Sequence, residues 1–164
     1  MSAAEHLVDN QRDKEREKIE AKLESLKLKI VDVAPNGDCL FASVADQLQK
    51  VLGIESNVGA MRLQAAEIMK ANVGDYIPFM EEEMNRDQFL AYCHKMETTH
   101  EWGGQVEIQA LCQALNVPIR VIQADGPDVV SDPANKSNEK PLVITFHRHE
   151  FGLGEHYNST ESAQ

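Results

Sequence analysis

The apolar residues of this chain keep a period of two at both ends and a period near 3.6 in between. That change of period limits the fold more than any other feature. Leu26, Leu28 and Ile30 alternate with Lys27 and Lys29, and Val31 and Val33 follow, which predicts a strand. Pro35-Asn36-Gly37-Asp38 breaks it with turn residues. Leu40, Phe41, Val44, Ala45, Leu48, Val51 and Leu52 then recur at helical spacing as far as Gly53. Met61, Ala65, Ile68 and Met69 predict a second helix that closes near Asn72-Val73-Gly74. Phe89, Leu90, Cys93 and Met96 predict a third between Asn85 and Met96. Trp102-Gly103-Gly104 is a loop into a fourth helix with Val106, Ile108, Leu111, Cys112 and Leu115 as its apolar face, stopped by Pro118. Strands return at Ile119–Gln123, at Leu142–Phe146 and, as a short last one, from His156 to Ser159. The turn-rich stretch from Ala124 to Lys140 is expected to be a long loop. The expected class is α+β, a small central β-sheet packed between helices.

Ahead of the first strand the chain is densely charged. Asp13/Arg16, Glu15/Lys18 and Glu24/Lys27 lie three apart, where helical side chains can pair, and Ile19, Leu23 and Leu26 form a narrow apolar stripe. The expectation is a charged N-terminal helical extension over residues 1–25 that docks by one edge, followed by a single domain over 26–164.

Sixteen Lys and Arg stand against 27 Asp and Glu, a formal charge of −11. Such a surface argues against a sequence-independent grip on nucleic acid and against anionic membrane surfaces. No apolar run approaches the ~18 residues of a spanning helix. The N-terminus carries no apolar core of a secretion signal, so a cytoplasmic location is expected. The three cysteines, Cys39, Cys93 and Cys112, form no CxxC pair and no even disulfide set, which fits a reducing compartment. Neither a cofactor nor a metal is expected: His147-x-His149 has no third ligand at a telling spacing.

Cys93 and Cys112 each lie one helical turn from apolar residues and read as small core hydrophobes. Cys39 differs, because it follows a strand and a tight turn and stands at the first turn of a helix. There the unsatisfied N–H groups favour a thiolate and can also receive a developing oxyanion. The adjacent Asp38 opposes thiolate formation unless its charge is turned to the helix as an N-cap. A nucleophilic cysteine needs a base, and His156 lies in Gly154-Glu155-His156-Tyr157-Asn158-Ser159. On a strand, period two puts His156 and Asn158 on one face with Tyr157 opposite, so Asn158 can orient the imidazole towards the thiol.

Three blocks, Pro35-Asn36-Gly37-Asp38-Cys39-Leu40-Phe41, Trp102-Gly103-Gly104 with Glu107-Ile108, and Gly154-Glu155-His156-Tyr157-Asn158-Ser159, resemble in order and spacing the signatures of the ovarian tumour (OTU) family of deubiquitinating cysteine proteases. The resemblance runs from about Leu26 to Ser159. The preceding charged helix and the Gly152–Ser159 run are most similar to the subfamily of OTU domain-containing protein 6 and its yeast counterpart. The resemblance implies a papain-like OTU fold, with Cys39 as nucleophile, His156 as general base and acid, and Asn158 orienting it. It implies an oxyanion loop of Asn36, Gly37 and Asp38, and substrate contacts at Trp102, Gly103, Gly104 and Leu153. The implied reaction is hydrolysis of the isopeptide bond at the C-terminal glycine of ubiquitin through a thioester. The implied partners are ubiquitin and polyubiquitin chains, with ribosome- or translation-associated proteins beside them. One departure stands out: the family usually carries Asp where this chain has Asn36, which leaves loop order and rate open. A second reading is a catalytically weak or inactive module that binds ubiquitin or a translation partner.

Overall fold

The computed structural model describes residues 2–149 and 155–164. Its elements in chain order are α1 (Ala3–Ser25), β1 (Leu28–Val31), α2 (Cys39–Leu52), α3 (Val58–Ala71), α4 (Val73–Tyr76), a 3₁₀ turn (Ile77–Phe79), α5 (Arg86–Thr98), α6 (Gln105–Leu115), β2 (Ile119–Gln123), β3 (Val129–Ser131), β4 (Leu142–His147) and β5 (His156–Ser162). The five strands form one sheet in the order β1-β5-β4-β2-β3. Only the β2–β4 pair is parallel; β5 runs antiparallel to both of its neighbours.

The predicted α+β class is what the chain adopts, with helices on both faces of the sheet. Alternation along β2 and β4 divides the core in two. Ile119, Val121, Leu142 and Ile144 face the layer of α2, α3, α5 and α6. Ile122 and Val143 face the other way, onto Ile19 and Leu23 of α1. Both α1 residues are fully buried, so the charged helix does dock by one edge, and each such side chain stabilises by roughly 1.5–3 kcal/mol. Its polar side adds a tie of a different kind. The Glu15 carboxylate accepts the backbone N–H groups of Arg148 and His149, both at 2.9 Å, where the chain leaves β4.

Helix boundaries follow local chemistry. Asn57 and Asn85 cap α3 and α5 through their side chains, and Gly53 ends α2 in the left-handed conformation at φ +68°. Three expectations need correction. Helix α6 is stopped before Pro118, by Asn116 at φ +51°, whose N–H returns to the Cys112 carbonyl. The stretch from Ala124 to Lys140 is not all loop, because Val129–Ser131 pairs with β2 as an edge strand. Asp38 stands at the N-cap position of α2 but makes no side-chain cap bond; its carboxylate is engaged elsewhere.

Candidate active site

Cys39 opens α2, whose buried Leu40, Phe41, Val44 and Leu48 lay the helix across β4 and β5. That packing carries the helix start to the beginning of β5. The Tyr157 backbone amide, adjacent to His156, is directed at the Cys39 sulfur. The start of α2 and the start of β5, far apart in sequence, thus lie close together. Cys39 is 1% exposed. Burial pushes its pKa up; the amides of Tyr157, Leu40 and Cys39 pull it down without cancelling that, and the Asp38 charge raises it further. The helix start therefore helps the thiolate, as expected, but does not by itself create it. A base is required.

His156 and Asn158 share one face of β5, while Tyr157 turns to the main core and packs at 5.1 Å on the Phe146 ring. His156 Nε2 lies 2.7 Å from Asn158 Oδ1. The same Oδ1 accepts the Val33 backbone N–H at 2.8 Å, which fixes which end of the amide is oxygen. His156 must then donate from Nε2, so the basic lone pair of the neutral ring sits on Nδ1.

The other end of that amide meets a residue the sequence reading left unassigned. Asn158 Nδ2 donates to His147 Nε2 at 3.2 Å, and the Thr145 hydroxyl lies 2.7 Å from the same nitrogen. All four side chains are buried. His147 is on the Asn158 face of the sheet because β4 and β5 pair antiparallel with Thr145 opposite Asn158. Period two along β4 could have placed His147 with Thr145; nothing local could have placed either against β5.

In the loop before Cys39, Asn36 Oδ1 accepts the Asp38 N–H at 2.9 Å and the Asn36 carbonyl accepts the Cys39 N–H at 3.1 Å. Asn36 therefore keeps the loop in order through an acceptor that an aspartate would equally supply. In this state the Asp38 and Cys39 amides, expected to receive an oxyanion, are turned back onto Asn36. Gly37 is required for a steric reason: a Cβ there would fall 1.7 Å from the His100 carbonyl oxygen. Gly103 is similar, since a Cβ would lie 2.9 Å from the Leu40 side chain and 3.0 Å from Phe41. It brings the Trp102–Gly104 loop onto the cysteine helix. Gly104 donates its N–H at 2.7 Å to the buried Glu107, whose other oxygen takes the Tyr92 hydroxyl. Trp102 is 48% exposed, so it is not a core anchor. Leu153 lies outside the described residues.

The sequence reading also missed Arg62. It is buried on α3, and its guanidinium bonds both Asp38 Oδ1 (3.0 and 2.7 Å) and the carbonyls of Gly37 (3.0 Å), Glu101 (2.9 Å) and Met96 (2.9 Å). It also lies 4.3 Å over the Phe41 ring. His100, just beyond α5, is exposed but holds the second Asp38 oxygen at 2.9 Å. Burial would push the Asp38 carboxyl up, yet these partners hold it below the ordinary aspartate value. A signal for Arg62 was present: it lies three, four and seven residues before Ala65, Ala66 and Met69, on the apolar face of its helix.

Comparisons with known proteins agree with this arrangement. The model of the family described as OTU-like cysteine protease matches residues 34–157. The human protein named deubiquitinase OTUD6B is 37% identical over 153 residues, which cover 90% of this chain and 51% of the human protein. The ubiquitin thioesterase otu2 of Schizosaccharomyces pombe is 34% identical over 150 residues, covering 90% of this chain and 50% of that protein. The chain thus spans about half the length of these relatives. The solved OTU domain of OTUD1 superimposes with a TM-score of 0.70 at 18% identity, over 93% of this chain and 97% of that one. A likeness this extended in both sequence and backbone is one of descent, and the chain belongs to the OTU-like cysteine protease family.

Proposed function

We propose that this chain is a deubiquitinase that hydrolyses the amide at the C-terminal glycine of ubiquitin through Cys39, His156 and Asn158. The observation that carries the reading is the double acceptance at Asn158 Oδ1, from His156 Nε2 and the Val33 N–H, beside the cysteine helix. It leaves Nδ1 of the neutral imidazole as the base. Cys39 gives its proton to that nitrogen and attacks the carbonyl carbon, and the amine departs with the proton from His156. Water, deprotonated by the same ring, then cleaves the thioester and restores the thiol. Ubiquitin as the acyl donor is supported by relatives named for acting on it. The half-exposed Trp102 beside Gly103 and Gly104 supplies an open approach towards the cysteine helix. A reducing, cytoplasmic setting belongs to the same proposal. Ribosome- or translation-associated proteins belong to the same proposal as further partners.

The test is turnover of ubiquitin carrying a C-terminal fluorogenic amide, with covalent labelling by ubiquitin bearing a C-terminal electrophile. The wild type is expected to do both and Cys39→Ala neither; cleavage that survives Cys39→Ala sinks the scheme. The binding-module reading is favoured by one observation, that Asn36 occupies the amides an oxyanion would need. Tight ubiquitin binding with no turnover of any diubiquitin linkage would select it.

A further inference from the structure

An acidic side chain stands next to the sulfur that has to lose a proton. Asp38 directly precedes Cys39, and a carboxylate there disfavours a thiolate. The structure answers it with a buried cation from another element. Arg62 sends two nitrogens to Asp38 Oδ1 and a third contact to the Gly37 carbonyl, the two residues before the cysteine. Its remaining bonds run to Met96 at the end of α5 and to Glu101 in the loop beyond. One rigid fork of donors therefore ties the cysteine loop to the end of α5 and to the loop beyond it.

We infer that Arg62 is a positioning residue for the cysteine loop and the counter-charge that allows Asp38 to stand beside Cys39. The inference rests on the reading of Cys39 as the nucleophile. A purely structural arginine would explain the Met96 and Glu101 contacts. It would not explain why half of the guanidinium is spent on Gly37 and Asp38. Other charged or titratable groups around the pair are His100, from the segment after α5, and Tyr157 on β5. Glu107 on α6 lies near both Arg62 and Tyr157. Of these only Arg62 and His100 bond Asp38, and His100 is 86% exposed in its side chain where water weakens its charge.

The experiment compares wild type, Arg62→Met, Asp38→Asn and the double variant, all as the full chain. Two quantities are read: steady-state cleavage of the fluorogenic ubiquitin substrate, and the pH profile of Cys39 alkylation by iodoacetamide, resolved by peptide mass spectrometry. Arg62→Met is expected to lower kcat about 10–100-fold with KM changed less than about threefold. Its alkylation profile should move about one unit to higher pH. Adding Asp38→Asn should bring that profile back towards wild type, because the charge that Arg62 cancelled is gone. An unchanged profile in Arg62→Met, or no return in the double variant, overturns the inference. If Arg62→Met does not fold, Asp38→Asn decides alone: with Arg62 left uncancelled its profile must move to lower pH, and an unmoved profile is fatal. Wild-type failure on the ubiquitin substrate counts against the proposed function, while the alkylation arms still judge Arg62.

Discussion

Asn158 holds His156 by a single 2.7 Å hydrogen bond to Nε2, and its own amide cannot turn over without opposing the Val33 N–H. The tautomer of the imidazole is thus set by a backbone amide just past the neighbouring strand β1. Asn158→Leu is expected to reduce kcat about 10–100-fold with a smaller effect on KM, whereas Asn158→Asp, which keeps the acceptor, should retain most activity. His147→Leu removes the acceptor for the far end of the amide and should lower kcat less than Asn158→Leu does. His147→Gln places an oxygen near the lost nitrogen and should recover most of that loss. Steady-state kinetics on the fluorogenic ubiquitin substrate checks all four.

Gly37→Ala has no room. The new methyl would need the His100 carbonyl to retreat, and that carbonyl belongs to the loop that Arg62 also grips through Glu101. A loss of about 1–3 kcal/mol is expected from overpacking, visible as a drop in Tm of several degrees, together with loss of activity beyond what the stability change explains. Wild-type activity in a folded Gly37→Ala protein would contradict the close approach.

Glu15→Ala leaves the Arg148 and His149 amides without their carboxylate. About 1–3 kcal/mol of stability should be lost in urea unfolding. Because these amides lie where the chain leaves β4, hydrogen exchange should rise there before it rises in α2. Uniform exchange in the variant would show that α1 only adds bulk.

Alkaline pH should destabilise the fold through its buried thiols. Burial pushes the Cys93 and Cys112 thiols from 9 up to about 11. In the unfolded chain they ionise near the ordinary value, so the folded state holds protons that the unfolded state has lost. Their contribution is fully present below about pH 8.5 and disappears as pH rises through the folded values. Tm measured across that window should fall, and should fall less in Cys93→Ala with Cys112→Ala. Asp38 has the opposite sign: its lowered pKa contributes above the ordinary aspartate value and is lost as pH drops through the folded one.

What the sequence could reveal was local or periodic. The helical spacing from Leu40 to Leu52 and the turn before Cys39 located the cysteine at a helix start, and period two placed His156 with Asn158. What it could not reveal were partners brought by topology. The parallel β2–β4 pair leaves β3 on the outer edge, where the two exposed valines Val129 and Val130 carry too little apolar alternation to announce a strand. Asp38 was read as a cap because capping is the local option; a buried guanidinium from α3 outcompetes it. His147 needed the β4–β5 register, which no window of sequence contains.

Strand β5 slots between β1 and β4, and β1 precedes the cysteine while β5 follows almost everything else. Contacts so distant along the chain are costly in loop entropy and close late. In the proposed mechanism Cys39 and His156 form a pair only once β5 has been inserted between β1 and β4, so a copy in which that strand is not yet in place lacks the proposed catalytic arrangement.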